Sequence, residues 1–203
     1  MPLSDSAPEP IELAPGSGLF ERFFSVAPLV IVGTLDDTGE PNLAPKHLAM
    51  PLGWENRFGF VCTPRHRTFG NAIRSGAFTV SFPRLEQLIQ ISQSATPRTL
   101  SGSKPGLRAL ATFPARHVEG VLVAGAAIFL ECELEQVVET SADNGLLIGK
   151  VVGAAADPRV VRDPDRDDAE MLRDQPLLAY VAPGRVAEIA STHAFPYPSG
   201  FTR

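Results

Sequence analysis

The sequence predicts a mainly β protein: an antiparallel barrel, closed or nearly closed, decorated with a few short helices. Three observations lead there. Apolar, β-branched segments recur along the 203 residues, separated by turns rich in Gly, Pro, Asp and Asn. These segments lack the regular βαβ rhythm of a doubly wound sheet. No GxGxxG opens a helix after the first strand, which removes the commonest route to nicotinamide dinucleotide binding.

Residues 1–18, "MPLSDSAPEPIELAPGSG", are rich in Pro, Ser, Gly and acidic side chains. They predict a flexible arm, or one that orders on a partner subunit, with residues 19–203 forming the folded domain. "LVIVGTL" is apolar and β-branched and predicts a strand, and "DDTGE" a hairpin turn. "NRFGFVCT" predicts another strand. "RTFGNAIRSG" predicts a short helix stopped by Gly76, and "AFTVSF" a strand ended by Pro83. "RLEQLIQISQSA" carries Leu85, Leu88, Ile89 and Ile91 at helical spacing. Thr96 to about Glu119 is irregular and basic, as lids and binding loops often are. "GVLVAGAAIFLECELEQVVE" has strand character over about twenty residues, its second half alternating as a strand with one wet face does. "GLLIGKVVGAAAD" predicts a further strand, "DAEMLRDQPLL" a short helix, and "LAYVAPGRVAEIA" a strand, a turn and a strand.

The 18 basic and 23 acidic residues leave a net charge of -5, which argues against a general nucleic-acid surface. Any anion site must be local. No apolar run reaches the length of a bilayer span, and the first residues lack a signal peptide's basic segment and apolar core. A cytoplasmic protein without membrane or nucleic-acid partners is expected. Cys62 and Cys132 lie far apart and predict buried free thiols rather than a disulfide. The four histidines show no metal-ligand spacing.

Two stretches concentrate polar chemistry. In "CTPRHRTFGN", Arg65 and Arg67 lie two apart and share a side of an extended turn, while Thr68 and Asn71 sit at a helix start, where backbone N–H groups lack partners. Guanidinium groups, a hydroxyl and a helix N-terminus together suit a phosphate. A solvated basic turn with Thr68 as N-cap is the alternative. In "EPNLAPKHLAM", Asn42, Pro45, Lys46 and His47 interrupt an apolar β segment. Lys46 and His47 point to opposite faces of a strand, so one of them at most lines a given pocket. His47 reads either as a satisfied structural histidine or as a proton donor.

Four stretches in this order resemble the flavin reductase-like FMN-binding proteins, which have a split β-barrel fold. They are "VIVGTLDDTGEPNLAP", "CTPRHRTFGNAIRSGAFTVSFP", "IFLECELEQVV" and "LLIGKVVGA". The closing "FPYPSGFTR" is similar to the tail of one branch, and the likeness spans about residues 24–203. The resemblance implies a homodimer with FMN at the subunit interface, FAD being the variant cofactor. Asn42, Leu43, Ala44, Pro45, Lys46 and His47 would run beside the ring and ribityl chain. Cys62, Thr63, Pro64, Arg65, Arg67, Thr68 and Asn71 would hold the phosphate end. Two departures stand out: His47 replaces a small hydroxyl residue, and Arg67 a frequent lysine.

In such proteins the flavin carries the chemistry, and no Ser-His-Asp or Cys-His arrangement suggests a protein nucleophile. The implied activity is a flavin reductase, passing hydride from NAD(P)H to flavin and on to an acceptor or a partner oxygenase. Arg98, Lys104 and Arg108 are candidates to meet the NAD(P)H phosphates, against a simple mobile basic loop. A flavoredoxin-like FMN electron carrier and a non-catalytic FMN or haem-handling module are the alternatives.

Overall fold

A computed structural model describes residues 9–16, 18–96, 99, 104–141 and 143–200. Its centre is a seven-stranded antiparallel sheet built from β2 (Val30–Leu35), β3 (Pro41–Lys46), β4 (Ala49–Pro51), β5 (Arg57–Cys62), β6 (Ala77–Phe82), β9 (Ile128–Ser141) and β10 (Asn144–Ala156). The order across the sheet is β3-β2-β6-β9-β10-β5-β4. The two end strands are consecutive in the chain and only residues 47 and 48 separate them. Three residue steps reach roughly 11 Å at most. The sheet must therefore curl until its first and last strands lie side by side. Val61 N donates to the Leu48 carbonyl at 2.8 Å, and Lys46 Nζ to Cys62 Sγ at 3.1 Å, across this seam.

The curl has local causes. β9 and β10 pair along their length with register shifts at Asn144/Gly145, Ile148/Gly149 and Val151/Gly153. Such bulges bend a strand and raise its twist. At Gly149 an added Cβ would lie 2.6 Å from the Phe78 ring, so the missing side chain lets the core come close.

β2 is buried on both faces. Val30 and Val32 point into the barrel with Phe58, Phe60, Phe78 and Leu147. Ile31 points outward and packs with Leu43, Ile91 and Val123. This follows from period-two alternation in a strand covered on both sides. The outer cover comes from α2 (Leu88–Ser94), the 3-10 turn Pro105–Ala109, β8 (Val121–Val123) and a three-stranded sheet of β1 (Ser25–Pro28), β11 (Leu177–Ala182) and β12 (Arg185–Ile189). On β6, Phe78 and Val80 face inward, while the outward Thr79 and Ser81 hydrogen-bond to the β8 backbone. The split antiparallel barrel of the sequence reading is the observed class.

The expected turn at "DDTGE" forms around Asp36, whose carboxylate accepts from Thr38 N, Thr38 Oγ1 and Glu40 N, with Gly39 at φ 81°. α1 (Arg67–Ser75) ends at Gly76, whose φ of 67° is the left-handed stop. Two details differ from expectation. The long segment before residue 141 is two strands, because the chain turns at Gly125 (φ 80°) between β8 and β9. The stretch expected to be irregular contains the 3-10 turn and a short strand, β7 (Thr112–Pro114), paired with β8. α3 (Asp168–Asp174) follows, capped by the Asp167 carboxylate on Glu170 N. Arg84, at the end of β6, ties this region down through Asp157 and Gln175. Cys62 and Cys132 are both buried and free. Burial, then the neighbouring Glu131, pushes the Cys132 thiol up to about 12. Among the described residues, no helix is long and apolar enough to cross a membrane.

Candidate functional site

β5 ends at Cys62, and the corner Thr63–Pro64 delivers the chain into α1. His66 is the N-cap residue, with extended backbone and no side-chain capping bond. The alternative of Thr68 as the cap therefore fails. Thr68 lies inside the first turn and is buried. Its hydroxyl accepts from Asn42 Nδ2 at 3.0 Å. The Asn42 amide also reaches Thr34 Oγ1 at 3.4 Å, and Asn71 Nδ2 donates to the same hydroxyl at 3.2 Å. All four side chains are buried, so the network fixes α1 against β2 and β3.

Above this network opens a pocket of about 420 Å³, within the usual span for small-molecule sites. β3 contributes Asn42, Ala44, Pro45 and Lys46. The corner and α1 contribute Arg65, His66, Arg67 and Thr68. The end of α2 contributes Ser94 and Ala95, followed by Thr96, with Lys104 opposite. In the first turn of α1, Phe69 N donates to the His66 carbonyl at 3.0 Å, while the N–H groups of Arg67 and Thr68 have no intrahelical acceptor by geometry. Arg67 lies 3.8 Å from Asp36 and Arg65 3.0 Å from Asp143, and among the described residues no carboxylate lines the pocket itself. The walls are thus cationic, although the chain as a whole is acidic.

The sequence candidates divide accordingly. Asn42, Ala44, Pro45, Lys46, Arg65, Arg67 and Thr68 come together at the pocket. Leu43 turns its side chain into the outer core, and only its carbonyl takes part, accepting from Lys104 Nζ at 3.0 Å. Cys62 lies in the inner core behind Lys46. Thr63 and Pro64 shape the corner, and Asn71 braces α1 from beneath. None of these five side chains is a pocket wall. His47, just past the end of β3, is not a pocket wall, and its ring stacks on Tyr180 of β11 at 4.3 Å and 26°. Burial, then the charge of Lys46, lowers its pKa below the usual histidine value.

Lys104, expected to meet a second ligand, belongs to this same pocket. Arg108 lies exposed in the 3-10 turn, and Arg98 falls outside the described residues. His66 and the Ser94–Thr96 segment are additions. The position of His66 between two site arginines was the available signal for it. For the α2 end, the run of small polar residues after Ile91 was the signal.

A family model for the flavin reductase like domain matches residues 24–180. The chain belongs to this family. Solved structures agree on the fold. Nitrilotriacetate monooxygenase component B from Bacillus cereus is similar with a TM-score of 0.79 at 20% identity, over 93% of this chain and 100% of that one. Flavoredoxin from Methanosarcina acetivorans gives 0.75 at 14% identity, over 95% and 98%. A candidate flavin reductase with a split barrel domain from Shewanella frigidimarina NCIMB 400 gives 0.74 at 18% identity, over 85% and 87%. Family membership and the pocket thus rest on the same segment, since the match includes β3, the basic corner and α1.

Thr34 is the shared acceptor beneath the pocket. Thr34→Val should destabilise the protein by about 1–3 kcal/mol, because it leaves the buried Asn71 amide without this acceptor. Urea denaturation read by circular dichroism measures this; an unchanged midpoint would show that the hydroxyl does not hold the helix.

Proposed function

We propose that the chain binds FMN in this pocket and works as a flavin oxidoreductase that uses NAD(P)H. The observation that carries the reading is the convergence of Lys46, Arg65, Arg67 and Lys104 near the start of α1, in a pocket with no carboxylate among its described lining residues. A phosphomonoester carries about two negative charges at neutral pH and three acceptor oxygens. Two guanidinium forks, two ammonium groups and the first-turn N–H groups match both its charge and its shape. The donor set therefore fits the phosphate end of FMN.

The bound flavin would supply the redox chemistry, accepting hydride from a reduced nicotinamide and releasing electrons to an acceptor. The chain's part is position and electrostatics. Arg65 and Arg67 hold the anionic end. Ala44 and Pro45 offer a strand surface of small, non-ionic side chains beside it. Lys46, at the end of β3, places a positive charge between the two regions, held there by Cys62. A cation near the cofactor favours its reduced, more negative form.

A homodimer is part of the proposal. Leu48 and Met50, just after Lys46, are 54% and 56% exposed, and Trp54 is 85% exposed. They lie on or beside β4, an end strand of the sheet. An apolar patch with an aromatic anchor, adjoining the pocket mouth in sequence, suits a subunit contact that completes the site. Light scattering of the flavin-loaded form should give twice the chain mass, and a monomer would count against this.

The second reading is an FMN electron carrier with little NAD(P)H activity, favoured by the similarity in fold to a flavoredoxin over nearly the whole chain. Steady-state oxidation of NADH and NADPH with added FMN separates the two. Turnover supports the reductase. Flavin absorbance that survives gel filtration, without turnover, supports the carrier, and absence of FMN binding sinks both. In the same assay Arg67→Ala should weaken FMN binding by about 1.5–3 kcal/mol, the range for a hydrogen bond to a charged group; an unchanged affinity removes Arg67 from the site.

A further inference from the structure

We propose that Lys46 and Cys62 form an oxidative modification site: with dioxygen they join through one bridging oxygen, a nitrogen–oxygen–sulfur link across the barrel seam.

Two observations carry this. Lys46 Nζ donates to Cys62 Sγ at 3.1 Å, between residues 16 apart in the chain and on different strands. Lys46 also lines the open pocket, whereas Cys62 is 2% exposed and sits in the inner core with Val30 and Phe60. Lys46 is thus the pocket wall that touches the sulfur. A small oxidant in the pocket meets the amine and, through it, the thiol. Cysteine oxidation follows access, and here the access runs along one side chain.

The gap suits one oxygen atom. Nitrogen and sulfur joined through a bent oxygen stand slightly closer than in a hydrogen bond. Joined directly, they would stand at little more than half its length. Bridging therefore asks only a small movement of the flexible lysine stem.

The step balances with dioxygen as oxidant. The O–O bond, the S–H bond and two N–H bonds of the ammonium group break. One S–O and one N–O bond form. The first oxygen atom stays as the bridge. The second leaves as water, taking the thiol hydrogen and one ammonium hydrogen, and the other ammonium proton goes to solvent. Sulfur and nitrogen each give up two electrons, and dioxygen accepts the four. A dithiol then cleaves the S–O bond, freeing Cys62 and becoming a disulfide itself, so the link is reducible.

The link would close covalently, from β3 to β5, the seam that hydrogen bonds otherwise close. A nitrogen bonded to oxygen is a far weaker base than an alkylamine, so the pocket wall would lose a cation. That loss would weaken FMN binding, a consequence that rests on the flavin reading; the link itself does not. Cys132 provides the comparison within the same chain. It is fully buried, its partners across the sheet are Val151 and Phe78, and among the described residues no amine hydrogen-bonds to it. It should stay unlinked.

The test is mass spectrometry of the full chain, purified under reductant and then held without it in air-saturated buffer. Wild type should gain a species about 14 mass units heavier, one oxygen added and two hydrogens lost. Trypsin without reductant should spare the bond after Lys46 and release residues 23–57 joined to residues 58–65. Dithiothreitol should separate the two peptides. Lys46→Arg, which lacks the primary amine, and Cys62→Ser, which lacks the sulfur, should not gain this species. Peptide mapping of wild type decides the matter even where a variant fails to fold. An unchanged mass overturns the inference. So does a gain of about 16 or about 32 units on Cys62, a sulfenic or sulfinic acid, with trypsin still cutting after Lys46. A loss of about 2 units, the mark of a direct nitrogen–sulfur bond, overturns the oxygen bridge. None of these masses depends on FMN, so the link and the flavin reading fall separately.

Discussion

The two-residue joint between β3 and β4 governs the architecture. It links the opposite ends of a seven-stranded sheet, so the sheet has no flat alternative. The bulged β9–β10 hairpin and the close approach of Phe78 at Gly149 supply the bend that this joint demands. Closure also places Lys46, at the end of one edge, beside Cys62, at the end of the strand next to the other. The cationic pocket stands over that seam. Its position is a product of barrel closure as much as of the residues that line it.

A basic cluster would be unstable on a mobile loop, since four cations repel one another. Here the support is neutral and buried. Thr34, Asn42, Thr68 and Asn71 join two strands and one helix without a formal charge. The buried hydroxyls and amides keep their hydrogen bonds, and the charged heads stay near solvent, where repulsion is screened. Binding energy for an anion is then available without first paying to order the helix start.

Much of this was legible in the sequence. The strands β2, β5, β6 and β10 follow from β-branched or aromatic alternation, and α1 from its spacing and the Gly76 stop. Arg65 and Arg67 were recognisable because two guanidinium groups two residues apart ahead of a helix have few other uses. The roles of Asn42, Thr68 and Asn71 were harder to read. A short polar side chain looks the same in sequence whether it binds a ligand or a neighbouring strand, and only the crossing of β3 over α1 decides. Lys104 was tied to a different partner because nothing local reveals that its ammonium reaches the Leu43 carbonyl, 61 residues away in the chain. The break at Gly125 was hidden in a continuous apolar run, where small residues serve a turn and a strand equally well.

The pairing of β5 with β10 also has a temporal side. Cys62 meets Gly145, and Arg57 meets Lys150, so the strand that leads into the basic corner waits for a stretch translated more than eighty residues later. Until then only the three-residue β4 flanks it. A nascent chain emerging from the ribosome thus carries an aromatic strand with one open side through much of its synthesis, and the corner gains its rigid base among the last events of assembly.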